Sequence, residues 1–195
     1  MKREIHKTTH RMSLFCDGLP VLASSIRGKQ IFGALTVETV PPVVPTICTL
    51  DFAGIDIATG SFLRESVYAY RTHARSQWPF LYPIIANASE SVLEELALCL
   101  APRADAMVAV TMTETGDITN PVLVGQIDGK QREALRLVVD RRSVEAPLLA
   151  KELGELPTTW NNRLAALAIK GLVIEESFGR GKRYVPVVEG LRYGP

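Results

Sequence analysis

The stretch LDFAGIDIATGSFLRES, Leu50 to Ser66, holds the residues with the clearest chemical potential in this chain. A short apolar run ends at Asp51 and passes through a turn rich in Gly, Asp, Thr and Ser into a helical pattern. The start of a helix presents unpaired N–H groups and a partial positive charge, so Thr59, Gly60 and Ser61 form a candidate switch or anion site. The same hydroxyls can instead cap the helix, a role worth roughly 1 kcal/mol. Asp51 and Asp56 do not make a catalytic carboxylate pair, because one falls near a strand end and the other in the turn, with no base or metal ligand within sequence reach. Cys16 lies beside Asp17, an acidic neighbour that does not activate a thiol, so a packed or idle thiol is expected there. The GRGK run from Gly179 to Lys182 lacks the GxxxxGK[ST] spacing of a phosphate loop and sits between two strand patterns. Cys16, Cys48 and Cys99 are odd in number, far apart and outside CxxC spacing, and His6, His10 and His73 do not pair with them. No disulfide framework, metal site or cofactor is expected from them, and the chain reads as non-enzymatic.

Positioning these residues requires a scaffold, and 195 residues with 47% hydrophobic side chains suffice for one large or two small cores. The net charge of +1 excludes a strong overall field for nucleic acid, membranes or acidic substrates, so any such signal must be local. No run of about 18 apolar residues spans a bilayer, and MKREIHKTTHRM lacks the hydrophobic centre of a secretory signal, so the expected location is cytoplasmic, without membrane association.

Apolar periodicity and turn residues predict alternating elements. MSLFCD reads as a first strand, and SSIRGKQIFGALTVETV as a helix with a Ser cap, stopped by PPVVP. TICTLDF reads as a buried strand feeding the helix SFLRESVYAYRTHARSQ. FLYPIIA is the next strand, and NASESVLEELALCLAP is a helix with Asn87 as cap and Glu90 three residues on. AMVAVTMTE, the turn TGD and PVLVGQI predict a β-hairpin that closes the sheet. Strand–helix alternation ending in a hairpin implies a small α/β domain over residues 1–127.

From Asp128 the pattern changes to three helices, DGKQREALRLVVDRRS, APLLAKELG and PTTWNNRLAALAIKG, followed by two strands around a Gly-Arg-Gly turn. Ala150 stands four residues before Gly154, while Trp160, Leu164 and Leu167 supply apolar anchors, as a helix-turn-helix requires. In layout, LLAKELGELPTTWNNRLAALAIKGLVIEESFGRGKRYVPV resembles winged helix-turn-helix transcription regulators, including the KGLV exit from the recognition helix into the wing. By that resemblance residues 128–195 form a DNA-binding domain whose helix from about Pro157 to Lys170 enters the major groove. Thr158, Asn161 and Asn162 then face base edges, Thr159 and Arg163 touch phosphates, and Arg180, Lys182 and Arg183 at the wing tip neutralise backbone phosphate or reach a minor groove. From Asp128 onward there are twelve Lys or Arg against nine Asp or Glu, so the asymmetry supports double-stranded DNA as a partner only mildly. A single weak head implies a homodimer.

The segment LDFAGIDIATGSFLRE is similar to the central signature of STAS-like domains, the fold of anti-sigma-factor antagonists, in which LDLSGV is followed by IDSSGLG opening a helix. The similarity extends by element order over the chain up to about residue 125, and is to the divergent members of unknown function. In the best-known members the Ser directly after Asp is phosphorylated and controls docking to a kinase-like ATPase. Aligning Leu50 to Ile55 with LDLSGV puts Gly60 on that acceptor, so the acceptor is missing, and Thr59 or Ser61 would have to substitute. Together the two resemblances imply a small STAS-like mixed sheet with helices, for sensing or protein docking, joined to a winged-helix transcriptional regulator. The alternative is a protein-interaction adaptor that docks a kinase-like ATPase or another effector without binding DNA.

Overall fold

The computed structural model describes residues 5–179 and 181–192. Its centre is a five-stranded mixed sheet with the order β1-β3-β5-β6-β7. β1 is His6–Arg11, β3 Thr46–Asp51, β5 Leu81–Ala86 and β6 Ala106–Met112, all parallel, and β7, Ile118–Gly125, closes the sheet antiparallel to β6. A two-residue ribbon pairs β2, Val21–Leu22, with β4, Ile57–Ala58.

The crossovers β1 to β3, β3 to β5 and β5 to β6 all step the same way across the sheet. With right-handed connections that places their helices on one face. These helices are α1 (Ser25–Glu38), α2 (Gly60–Leu63), α3 (Ala69–Gln77) and α4 (Glu90–Leu100). A π-turn at Arg64–Tyr68 links α2 to α3. Ile31, Phe62, Val67, Tyr70 and Leu96 pack there against Cys48, Leu50, Ile85 and Ala109 of the sheet. Gly28 lets α1 approach closely, because a Cβ there would stand 2.8 Å from the Phe62 carbonyl oxygen.

The alternate strand residues Ile47, Ile84, Ala86, Val108 and Val110 face the other way and need a second cover. The C-terminal segment provides it: α5 (Gly129–Arg141), α6 (Ala146–Leu153), α7 (Pro157–Ile169) and the antiparallel hairpin β8 (Val173–Phe178) and β9 (Gly181–Pro186). Leu135, Leu149, Trp160, Leu164, Leu167 and Tyr184 join those strand residues in one continuous core. The mixed α/β class expected from the sequence is therefore observed, with three helices and a hairpin after Asp128, which caps α5 by accepting from Gln131 N at 2.9 Å.

Two local expectations need correction. The first strand is His6–Arg11, and Met12–Phe15 forms a single 3-10 turn that buries Met12. β1 is an edge strand with mostly exposed side chains, so it carries no apolar alternation, and only its ladder to β3 makes it a strand. The cap of α4 is Ser89, whose hydroxyl accepts from Val92 N at 3.3 Å. Asn87 adopts a left-handed φ of 53° and uses its amide elsewhere.

Candidate functional site

Asn87 ties the ends of three strands together. Its Nδ2 donates to Asp51 Oδ1 at 2.9 Å, and its Oδ1 accepts from Met112 N at 2.8 Å. Asp51 Oδ1 also accepts from Ala53 N at 3.1 Å, which starts the turn toward Thr59. In that turn Thr59 caps α2, its Oγ1 accepting from Phe62 N at 3.4 Å, with Ser61 Oγ 3.2 Å away. A Cβ on Gly60 would stand 2.8 Å from the Glu95 carboxylate. A carboxylate at that spot repels phosphate and other anions, so the geometry favours the cap over the anion or switch reading of Thr59, Gly60 and Ser61.

Buried thiol chemistry is equally unfavourable. Cys48 is fully buried, 3.4 Å from the Tyr70 hydroxyl, and burial pushes its pKa from 9.0 up to about 11. A raised thiol pKa means the fold holds the neutral form. Its stabilising contribution is therefore complete below about 9 and is lost as pH rises toward 11. Tyr70, also raised chiefly by burial, adds in the same direction. Urea unfolding is expected to show lower stability at pH 10 than at pH 8. Half-buried Cys16 should react with iodoacetamide in the native state while Cys48 stays protected. Equal labelling of both would contradict the assigned burial.

In the C-terminal segment, Gly154 with φ 77° ends α6 and turns the chain into α7, which begins with Pro157 at its first turn. Trp160, Leu164 and Leu167 point into the core, and Thr158 and Asn162 stand exposed on the opposite side. Thr159 is half-buried. Arg163, expected at a phosphate, instead forms an ion pair with Glu155 and lies over the Trp160 ring, 4.8 Å from its centroid. Asn161 is partly engaged as well, because its Oδ1 lies 3.2 Å from the Tyr184 hydroxyl. On the hairpin, Lys182 pairs with Glu175 at 2.8 Å and Arg183 with Glu176 at 2.9 Å. Arg180 lies outside the described residues. The fold thus brings the expected residues that are described onto one helix and one hairpin, and adds three acids, Glu155, Glu175 and Glu176, that pair with Arg163, Lys182 and Arg183. Residue type gave no sign of those pairings, since each acid reads alone as a solvated charge.

A second group escaped the sequence. Arg71 and Arg75 on α3 reach across to the end of α7, donating to the carbonyl oxygens of Lys170 at 3.1 Å and Ala168 at 2.9 Å. Arg71 also forms a buried ion pair with Asp105, and Lys170 Nζ lies 3.5 Å from the same carboxylate. Arg75 sits 4.1 Å over the Tyr82 ring, and its Nη1 donates to the Pro79 and Leu81 carbonyls at 2.8 Å each, while its Nε has no hydrogen-bond partner among the described residues. Cations at the C-terminal end of a helix oppose its negative dipole end, so this cluster locks α7 onto the α/β half.

Among the described residues no helix is long and apolar enough to cross a membrane, and no group of His, Cys, Asp or Glu has the arrangement to hold a metal ion. No protein-family model matches the chain, and no curated protein is significantly similar to it.

Proposed function

We propose that the chain is a non-enzymatic transcriptional regulator in which α5, α6, α7 and the β8–β9 hairpin act as a winged helix-turn-helix on double-stranded DNA, while the STAS-like α/β half senses or docks a partner. The observation that carries this reading is the sharp Gly154 turn between α6 and α7. With Trp160, Leu164 and Leu167 buried, it leaves Thr158 and Asn162 exposed on the first two turns of α7. Asn162 has the donor and acceptor pair that reads adenine, and Thr158 can contact an edge or a thymine methyl. Lys182 is about half-exposed in its pair with Glu175, and opening an exposed ion pair costs about 0–1 kcal/mol, so phosphate can compete for it, whereas Arg183 is held more firmly by the largely enclosed Glu176. Arg163, more enclosed and stacked, stays with Glu155.

Fluorescence anisotropy with the chain's own upstream DNA and a scrambled duplex, at two salt concentrations, tests the reading. Asn162→Ala should erase the preference, a loss of about 1–3 kcal/mol of discrimination. Arg183→Ala should weaken both duplexes alike, and Glu175→Gln should strengthen both by releasing Lys182. Absence of binding to either duplex at low salt rejects the regulator reading. The acid partners of the hairpin cations favour, in that case, the adaptor reading, with docking to a protein such as a kinase-like ATPase.

A further inference from the structure

Arg11 and Asp51 are register partners on the neighbouring parallel strands β1 and β3. Register partners project from the same face of a sheet with their strands about 5 Å apart, a distance at which opposite charges ordinarily pair. These two do not pair. Asp51 is nine-tenths buried, and its Oδ1 is taken by Ala53 N and Asn87 Nδ2, while its Oδ2 accepts from no described residue. Arg11 is exposed and makes no hydrogen bond or ion pair with another described residue.

Both line a cleft of about 970 Å³ at the C-terminal ends of the parallel strands, roofed by the β6–β7 turn. Two exposed hydrogen bonds brace the roof. Lys7 Nζ donates to the Gly116 carbonyl at 2.9 Å, and Asp117 N donates to Thr113 Oγ1 at 3.0 Å. Leu14, Phe15 and Met112 supply apolar wall, with Leu14 largely exposed. Of the other charged side chains lining the cleft, Glu38 faces His10 across 3.5 Å, and Glu114 sits in the roof. The cleft therefore offers an acceptor at its floor with no protein donor, a cation beside it with no protein partner among the described residues, and an apolar wall.

We propose that this cleft binds a small zwitterion of the α-amino-acid type with an apolar side chain, its ammonium on Asp51 Oδ2, its carboxylate on Arg11 and its side chain against Leu14, Phe15 and Met112. A ligand carrying both charges satisfies both groups at once, which neither a simple amine nor a simple acid does. The geometry that carries this inference lies at the opposite end of the sheet strands from the Arg75 and Tyr82 contacts with α7, and it does not rest on the DNA-binding reading.

The test titrates the full chain with L-methionine, following backbone amide shifts of Ala53, Met112 and Thr113 by NMR. Parallel titrations use the amine lacking the carboxylate and the acid lacking the amino group. The expected result is saturable binding of L-methionine, weaker by about tenfold or more for each single-charge analogue and for Arg11→Gln. Asp51→Asn should show the same loss. Should that variant fail to fold, Arg11→Gln still decides, because Arg11 is exposed and holds nothing in the fold. Failure of L-methionine to shift these amides overturns the proposal. So does undiminished binding in Arg11→Gln, and so does an amine that binds as tightly as the zwitterion, which would make the cleft a simple cation site.

Discussion

Asp105→Ala is expected to lower the unfolding free energy by about 3–5 kcal/mol, the usual cost of removing one partner from a buried ion pair. Asp105 and Arg71 are both nearly inaccessible to solvent, and Lys170 Nζ points at the same carboxylate. Without Asp105, the buried Arg71 loses its carboxylate and faces the partly exposed Lys170 ammonium, and Arg71 Nε already lacks a partner. Urea unfolding of the single variant measures the loss. Arg71→Met in the Asp105→Ala background should recover part of it, because an apolar side chain of similar length carries no stranded charge. A loss below about 1 kcal/mol would mean that the pair is screened by solvent and behaves like a surface contact. The effect extends beyond stability. Arg71 also holds the Lys170 carbonyl, so the last turn of α7 should exchange its amide hydrogens faster in the variant than the first turn does.

What the sequence revealed and what it concealed divide along the range of the interactions involved. TICTL and LYPIIA announce themselves as buried strand stretches because their residues are apolar, aromatic or β-branched, and β3 and β5 both fall in the interior of the sheet. The Asp128 cap, the Gly154 turn and the buried phase of Trp160, Leu164 and Leu167 are likewise local signals, set by backbone chemistry within a few residues. β1 was hidden because HKTTHR has neither apolar alternation nor turn boundaries, and its strand character comes from a ladder to residues forty positions on. Asn87 departs from the expected cap role for a related reason. Its residue type suits a cap, yet its amide joins Asp51 and Met112, 36 and 25 residues distant. The α3–α7 cluster joins residues 34, 93 and 99 positions apart, and no periodic pattern encodes such a meeting. The candidate DNA-facing surface was legible in its placement and illegible in its electrostatics. Thr158 and Asn162 follow from helix phase, whereas pairing of Arg163, Lys182 and Arg183 with glutamates depends on how the hairpin and the α6–α7 turn fold back.

Trp160→Ala should cost about 3–5 kcal/mol, since it empties the largest buried side chain of the core. The cavity opens between α7 and its neighbours and removes the ring on which Arg163 rests. Trp160→Phe is expected to cost clearly less than Trp160→Ala. It keeps an aromatic ring in the site and deletes an indole N–H that has no hydrogen-bond partner, so part of the lost packing is offset by one fewer buried orphan donor. The more informative readout is how the loss is distributed. Trp160 belongs to the same continuous core as Ile84, Val108 and Val110 of the sheet, and the Arg75 contacts fasten α7 to α3. Destabilising α7 therefore uncovers one face of the sheet, and hydrogen exchange should accelerate in β5 and β6 together with α7. Wild-type unfolding should accordingly follow one transition, with Trp160→Ala shifting it as a whole. Two separated transitions, with only the C-terminal helices affected by Trp160→Ala, would show instead that the α/β half is stable with that sheet face exposed. The first outcome would supply a physical route for coupling between a ligand in the α/β half and the outer face of α7, because a shared core lets one half bias the other.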